Sequence, residues 1–133
     1  MHFQRRILLI DDEPNLTAMV RQALEATGRY LIKEEHHSLR ALHAARHFQP
    51  DLILLDVVMP ELDGREVARR MQADPALQDV PIIFVTSLAP GKIGTVGFLA
   101  GYSFIAKPFE ISDLVNCVAE VLGEAVAPAG RRG

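Results

Sequence analysis

Short apolar runs alternate along the chain with longer segments whose apolar residues recur every three or four positions. The short runs predict five strands, at residues 7–10, 30–35, 52–55, 81–85 and 103–106. Strands that alternate with helices in this way are typical of βαβ units around a parallel sheet with helices on both faces. The pattern therefore predicts an α/β fold with a doubly wound, five-stranded parallel sheet.

Five helices are predicted between and after these strands. Helix one carries an apolar stripe from Leu16 to Leu24 and ends at Gly28, helix three covers about residues 64–72, and helix five covers about 111–122. Strand two is more polar than the other strands, which favours a position at the edge of the sheet.

Helix two is predicted after Ser38, a residue type that often caps helix N-termini. Its spacing places Leu39, Leu42 and Ala45 on the face toward the core. Helix four falls in the glycine-rich segment 90–101, and each glycine inside a helix costs up to about 1 kcal/mol relative to alanine. This helix is therefore expected to be short or irregular.

The length and composition fit one globular domain. The chain has 133 residues, of which 49% are hydrophobic and 23% charged. The net charge of -3 argues against direct nucleic-acid binding, and the apolar run 7–10 is too short for a secretion signal or a membrane span. The single cysteine, Cys117, is expected to be a buried apolar residue. We therefore expect a cytoplasmic protein that does not contact a membrane.

Chemically active side chains follow four of the predicted strands. Asp11 and Asp12 follow strand one, Asp56 follows strand three, Thr86 follows strand four, and Lys107 follows strand five. Ligands of open parallel sheets bind outside the carboxyl ends of the strands. We therefore expect these residues to meet in one crevice.

Three carboxylates in one crevice would repel one another unless a cation neutralised them. Oxygen ligands without histidine or cysteine favour Mg²⁺, which commonly pairs carboxylates with a phosphate oxygen. Lys107 and Thr86 could bind other phosphate oxygens, and an aspartate could act as a covalent nucleophile. The spacing leaves open which aspartate would be that nucleophile.

Five ordered motifs resemble the receiver domain of bacterial two-component response regulators. They lie at residues 9–14, 51–60, 63–64, 81–87 and 107–109, with the sequences LIDDEP, DLILLDVVMP, DG, PIIFVTS and KPF. The resemblance covers about residues 5 to 123, and motifs in matched order are far more specific than one acidic pair. It implies a flavodoxin-like fold with strand order 2-1-3-4-5.

The resemblance also implies a role for each matched residue. Asp56 would be phosphorylated from a sensor histidine kinase or a phosphotransfer protein. The implied ligands of Mg²⁺ are Asp11, Asp12, Asp56 and the main-chain carbonyl of Val58. Thr86 and Lys107 would contact the phosphoryl group, and Thr86 and Phe104 would be the switch residues. The bond between Lys107 and Pro108 is expected to be cis.

The protein predicted in this way is a phosphorylation switch and not an enzyme with a separate substrate. Residues 1–123 would form the receiver domain and 124–133 a flexible tail or the start of a linker. Phosphorylation would change a protein-interaction surface, and the protein would be a monomer or a phosphorylation-dependent homodimer.

Three alternatives remain open from the sequence. The chain could be an interaction module that keeps the receiver fold without phosphorylation, or a hydrolase with an aspartyl-phosphate intermediate. Hydrolases of the haloacid-dehalogenase type carry an Asp-x-Asp pattern after strand one, which residues 11–13 lack. His43 and His47 have a spacing that could bind a transition metal, although a solvated helix face explains them better.

Overall fold

A single five-stranded sheet with all strands parallel forms the centre of the protein. The computed structural model describes residues 4–87 and 102–124. The strands are β1 Arg5–Ile10, β2 Tyr30–Glu35, β3 Leu52–Leu55, β4 Ile82–Thr86 and β5 Ser103–Ala106. Their order across the sheet is β2-β1-β3-β4-β5. This confirms the predicted strand order and the edge position of strand two.

Helices cover both faces of the sheet. They are α1 Pro14–Glu25, α2 Ala41–Phe48, α3 Gly64–Gln72 and a C-terminal helix, Ile111–Val121; a 3₁₀ turn, Ser38–Arg40, precedes α2. Pro14 is the first residue of α1, where its missing N–H costs nothing, and Gly28 continues the chain with a φ of 77° that favours glycine. The predicted helix four and residues 125–133 of the predicted tail lie outside the described residues.

The side chains of the sheet alternate between two hydrophobic cores. Leu8 of β1 and Phe84 of β4 belong to the core under α2 and α3, whereas Ile7 belongs to the core under α1 and the C-terminal helix. Because helices cover both faces, every residue of β3 is buried. Among the residues that the structure describes, no helix has the length and hydropathy needed to cross a membrane.

The strand register brings the carboxyl ends of the strands to one edge of the sheet. Ile10 pairs with Leu55, and Leu55 pairs with Phe84. On the other side of β4, Thr86 pairs with Ala106. The residues that follow these positions therefore leave the sheet side by side.

The start of α2 differs from the sequence prediction. The 3₁₀ turn separates Ser38 from α2, so Ser38 does not cap the helix, and the N-cap residue Arg40 makes no side-chain capping bond. Leu39 is 61% exposed because the turn rotates it away from the core. Ala45 is buried as predicted and Leu42 packs against the core, but the other buried residues of α2 are Ala41 and Ala44.

Helix three has the predicted bounds, and Val67, Ala68 and Met71 form its buried face. Strand four was predicted one residue too early, since β4 includes Thr86. The fold class is therefore confirmed.

Candidate functional site

Three carboxylates converge at the carboxyl edge of the sheet. Asp11, Asp12 and Asp56 each offer an oxygen atom, and these oxygens all lie within 4.8 Å of one another. Asp11 and Asp56 are only 6% and 4% exposed. The Asp56 amide donates to the carbonyl of Ile10 at 2.9 Å, so pairing between β3 and β1 continues to the acidic residues themselves.

Local backbone geometry orients the two buried carboxylates. Asp11 Oδ1 accepts from the amide of Glu13 at 3.0 Å, and Asp56 Oδ1 accepts from the amide of Val58 at 3.1 Å. Each aspartate thus binds the backbone two residues ahead, which is the usual Asx-turn arrangement. One oxygen of each side chain is held by its own loop, and the other points toward Lys107.

The ammonium of Lys107 joins the two buried aspartates. Its Nζ lies 2.7 Å from Asp11 Oδ2 and 3.1 Å from Asp56 Oδ2. A third contact, 2.7 Å, reaches Glu13 Oε1, and the Lys107 side chain is only 12% exposed. The Lys107 amide donates to the carbonyl of Thr86 at 2.9 Å, and the Lys107–Pro108 bond is cis, as the resemblance implied.

Glu13 is the residue of this cluster that sequence reasoning missed. The stretch Asp-Asp-Glu-Pro was interpreted as an acidic pair followed by a helix start. Glu13 is the N-cap residue of α1, but its side chain makes no capping hydrogen bond and contacts Lys107 instead. A third consecutive acidic residue was the available signal, although only the fold reveals the lysine that it contacts.

The electrostatics of the cluster follow from burial and from the excess of negative charge. Burial, followed by the charge of Asp11, raises the pKa of Asp56 despite the attraction of Lys107. Burial likewise raises the pKa of Asp11, which hydrogen bonds to Lys107 and Glu13 only partly offset. For Lys107, burial lowers the pKa, but hydrogen bonds to Asp11 and Glu13 outweigh it and leave the pKa above its usual value.

One lysine cannot neutralise four neighbouring acidic side chains, which favours a bound cation. The donor set of Asp11, Asp12 and Asp56 consists of carboxylate oxygens alone. Hard divalent ions such as Mg²⁺ or Ca²⁺ prefer oxygen ligands of this type. The residues present therefore fit a divalent cation.

Gly64 fixes the distance between α3 and the acidic loop. A Cβ atom at this position would lie 2.0 Å from the carbonyl oxygen of Asp56 and 2.8 Å from the Cα of Val57. The Gly64 amide donates to the Val57 carbonyl at 2.8 Å. Asp63 caps α3 by accepting from the Arg65 amide at 2.7 Å. In the sequence, Asp63 and Gly64 form one of the five receiver-like motifs, to which no individual role was assigned.

Ser38 holds the loop that follows Asp56. Its hydroxyl donates to the carbonyl of Pro60 at 2.7 Å and accepts from the amide of Leu62 at 3.0 Å. Ser38 is 2% exposed, so both hydrogen bonds are shielded from water. The residue predicted as a helix cap therefore supports the loop beside the acidic cluster.

The two predicted switch residues lie on neighbouring strands. Thr86 ends β4 and is fully buried, whereas Phe104 on β5 is 38% exposed. The ring of Phe104 stacks on Phe84 with 5.6 Å between centroids, and Phe84 contacts Tyr102 edge-on at 5.3 Å. Val58, the predicted carbonyl ligand, lies in the loop two residues after Asp56 and is 51% exposed.

The other residues considered from the sequence are the histidine pair, His43 and His47, and the single cysteine, Cys117. His43 and His47 are exposed on α2 with their rings 4.7 Å apart. Within residues 4–87 and 102–124, the one cluster of three or more potential metal ligands is Asp11, Asp12 and Asp56. Cys117 is half-buried, and burial raises the pKa of its thiol, which disfavours the reactive thiolate.

Comparisons with known proteins point to one family. Residues 7–119 match the family model of the response regulator receiver domain. The chain is 30% identical to the polar-differentiation response regulator DivK of Brucella anthropi over 122 residues, which are 91% of this chain and 98% of DivK. It is 32% identical over 118 residues, 88% of this chain, to the transcriptional regulator RpaA of a Synechocystis strain.

The extent of these matches differs between relatives. The chain spans about half the length of RpaA, 48%, and of the response regulator Rre1 of the same strain, 53%. The match therefore covers only part of RpaA and Rre1, whereas it covers nearly all of DivK.

Solved structures lead to the same family. The receiver domain of sensor histidine kinase PA1611 from Pseudomonas aeruginosa has a TM-score of 0.81 and 28% identity over 92% of this chain and 100% of that domain; its cleft coordinates a magnesium ion. The receiver domain of a signal transduction histidine kinase from Syntrophus aciditrophicus has a TM-score of 0.80 and 29% identity, over 94% of this chain and 98% of that chain. Fold, motifs and relatives agree that the chain belongs to the response regulator receiver family.

Proposed function

We propose that Asp56 accepts a phosphoryl group from a sensor histidine kinase or a phosphotransfer protein, in a site that uses Mg²⁺. The observation that carries this proposal is the Lys107 ammonium, which lies between Asp11 and Asp56 beside the three-carboxylate cluster. A cation, a buried carboxylate nucleophile and a metal-binding acidic set are the parts that transfer to an aspartate requires.

In the transfer, a carboxylate oxygen of Asp56 forms a bond to phosphorus while the bond from phosphorus to the donor histidine nitrogen breaks. The imidazole leaves with the electron pair of that bond, and Asp56 becomes an acyl phosphate. Asp11, Asp12, Asp56 and the Val58 carbonyl would hold Mg²⁺, which supplies positive charge between the nucleophile and the anionic phosphoryl group.

Lys107 and Thr86 would stabilise the transferred group. Lys107 brings a positive charge that is already within 3.1 Å of Asp56, so little movement is required for it to reach an oxygen of the phosphoryl group. Thr86 ends β4 directly beside β5 and offers a rotatable hydroxyl donor. Both residues act by electrostatic stabilisation and not by proton transfer.

The switch would work through the surface near Thr86 and Phe104. A phosphoryl group adds about -1.5 to -2 charges, enough to bias a side chain between two positions. Movement of Thr86 toward the phosphoryl group would open space into which the partly exposed Phe104 ring turns. This change would alter binding of a downstream protein, with the chain as a monomer or as a homodimer formed on phosphorylation.

We further propose that residues 1–123 act as one receiver domain and that 124–133 form a tail or linker. The family model ends at residue 119, and the last described helix ends at Val121. The match to DivK extends over 98% of the length of DivK, which supports a single receiver domain across the matched residues.

The test is phosphorylation by acetyl phosphate with Mg²⁺, followed by intact-mass measurement. The expected product carries one added phosphoryl group, which is absent from the Asp56→Asn variant. Asp51→Asn is the matched control, because Asp51 lies at the opposite end of β3 and binds the Arg6 amide. Chelation of Mg²⁺ should slow the reaction of the wild-type protein strongly.

Each other outcome identifies a different function. An adduct that persists in Asp56→Asn contradicts Asp56 as the acceptor. Rapid turnover of many phosphate esters would indicate a hydrolase. No adduct in the wild-type protein, with either acetyl phosphate or a phosphorylated phosphotransfer protein as donor, would indicate an interaction module that works without phosphorylation.

A further inference from the structure

One residue of the loop after Asp56 has an unusual backbone conformation. Glu61 has a φ of 71°, a value that is uncommon for residues other than glycine and that carries strain. The Leu62 amide donates to the Pro60 carbonyl at 2.8 Å, across Glu61. A hydrogen bond between residues two apart, around a central residue with this φ, is typical of the rare and strained form of the γ-turn. Such a turn persists only where its surroundings hold it.

Ser38 holds this turn from outside the loop. Its hydroxyl donates to the Pro60 carbonyl at 2.7 Å and accepts from the Leu62 amide at 3.0 Å, so it binds the backbone on both sides of Glu61. Ser38 is 2% exposed, and water therefore does not compete for these two hydrogen bonds. The Ser38 hydroxyl consequently offsets the strain at Glu61.

The other contacts of the loop do not fix its backbone in this way. The Met59 and Leu62 side chains pack against the core under α2 and α3, and apolar contact has no preferred direction. At the base of the loop, the Gly64 amide donates to the Val57 carbonyl at 2.8 Å. The directions of the carbonyls between this base and the turn therefore depend on the turn.

The Val58 carbonyl, the proposed Mg²⁺ ligand, belongs to this part of the loop. Within the part of the chain that the structure describes, no hydrogen bond occupies it, so it is available to a cation. The Val58 amide donates to Asp56 Oδ1 at 3.1 Å, which joins the same residue to the acidic cluster. Because Mg²⁺ requires nearly ideal octahedral geometry, a carbonyl ligand must keep a narrow range of directions.

We propose that Ser38 is a positioning residue for the magnesium site, which it serves by holding the Glu61 turn and with it the Val58 carbonyl. This inference rests on the proposed function and deepens it. Without the Ser38 hydroxyl, the strained turn opens in part of the population, and only the remaining molecules present the carbonyl to Mg²⁺. The apparent affinity for Mg²⁺ falls by that fraction, whereas the occupied site is unchanged.

The Ser38→Ala variant should therefore bind Mg²⁺ about fivefold more weakly, which corresponds to about 1 kcal/mol. An NMR titration of the backbone amides with Mg²⁺ measures this affinity without a phosphoryl donor. In phosphorylation by acetyl phosphate, the Mg²⁺ concentration that gives half of the maximal rate should rise by about fivefold, and the maximal rate should stay within about twofold of wild type. A residue that only stabilises the fold would not shift the dependence on Mg²⁺.

Hydrogen exchange of the Leu62 amide tests the turn itself. In the absence of metal, this amide should exchange at least about fivefold faster in Ser38→Ala than in the wild type, because opening of the turn exposes it. Saturating Mg²⁺ should slow its exchange in Ser38→Ala again, because an ion that binds the closed turn shifts the population toward it. A purely structural loss would not respond to the metal in this way.

Two further variants separate the proposed role from a loss of stability. Tyr30→Phe also removes a buried hydroxyl, which donates to Glu124 and lies at the opposite end of β2 from Ser38. It should lower stability but leave the Mg²⁺ affinity within about twofold of wild type. Glu61→Gly introduces the residue that adopts a positive φ without strain, so its combination with Ser38→Ala should recover about half or more of the lost affinity.

The inference is wrong if Ser38→Ala binds Mg²⁺ within about twofold of wild type, if Tyr30→Phe weakens binding equally, or if Glu61→Gly restores nothing. Exchange at Leu62 that does not respond to Mg²⁺ in Ser38→Ala would also overturn it. Failure of the proposed function is distinguishable from these results. The wild-type protein would then bind Mg²⁺ with the same dependence on Ser38, but it would gain no phosphoryl group on Asp56.

Discussion

Replacement of Gly64 by alanine should move the start of α3 away from the acidic loop. The added Cβ would lie 2.0 Å from the Asp56 carbonyl oxygen, whereas contacts of Cβ atoms below 3.0 Å are essentially never found. The helix start must therefore shift by at least 1.0 Å, the difference between these two distances. The obstructing atoms belong to the backbone, so a change of side-chain rotamer cannot relieve the contact.

The cost follows from what holds this helix start in place. The shift weakens the hydrogen bond from the Gly64 amide to Val57 and the cap from Asp63 to the Arg65 amide, each worth about 1 kcal/mol. Overpacking against the loop adds about 1–3 kcal/mol, and the better helix propensity of alanine returns up to about 1 kcal/mol. We expect the free energy of unfolding to fall by about 3 kcal/mol.

Urea denaturation followed by far-UV circular dichroism measures this loss, with Gly28→Ala as the matched control. Gly28 has a φ of 77° and no atom within 4 Å of its added Cβ, so that variant carries only backbone strain of about 1–2 kcal/mol. Phosphorylation of folded Gly64→Ala by acetyl phosphate should also be slower, because the loop that follows Asp56 is displaced together with the helix start. A loss of stability no larger than that of Gly28→Ala would refute this reasoning.

Two further predictions concern buried hydroxyl groups. Ser38→Ala removes the hydrogen bonds to Pro60 and Leu62 and should lower the free energy of unfolding, measured by urea denaturation, by about 1–2 kcal/mol. A loss below about 0.5 kcal/mol, which is usual for an exposed turn residue, would contradict this role of Ser38. Tyr30, whose hydroxyl donates to Glu124 at 2.6 Å, has a pKa raised to about 12 by burial and by that bond. Folding disfavours the phenolate, so stability should fall as pH rises from about 10 toward 12. The Tyr30→Phe variant should lose this dependence in thermal melts, and an unchanged pH profile would contradict the assignment.

The sheet and the strand-end residues could be predicted from the sequence because their signals are local. The apolar run Leu52–Leu55 is buried on both faces, and Asp56 must follow it wherever the strand lies. Parallel strands place their carboxyl ends together, so the approach of Asp11 to Asp56 required only the fold class. In α2, Ala45 was predicted correctly, but Ala41 and Ala44 were missed because periodicity does not reveal the 3₁₀ turn that shifts the start of the helix.

The contacts that sequence reasoning missed join residues far apart in the chain. Ser38 binds Pro60 and Leu62, which lie 22 and 24 residues away, and Glu13 binds Lys107 across 94 residues. Each residue type has a common local use, as a helix cap or as an acidic residue before a helix. The local interpretation is preferred by default, and only the packing of the elements shows that these side chains are used elsewhere.

The hydrogen bond from the Asp56 amide to Ile10 ties the acceptor to the two central strands of the molecule. Amides of such fully covered strands exchange with solvent only when the whole domain opens. The proposed acceptor is consequently an anchored point, and we expect phosphorylation to displace its own backbone little. On the proposed function, the groups that respond have to move toward Asp56 from neighbouring elements, such as Thr86 at the end of β4.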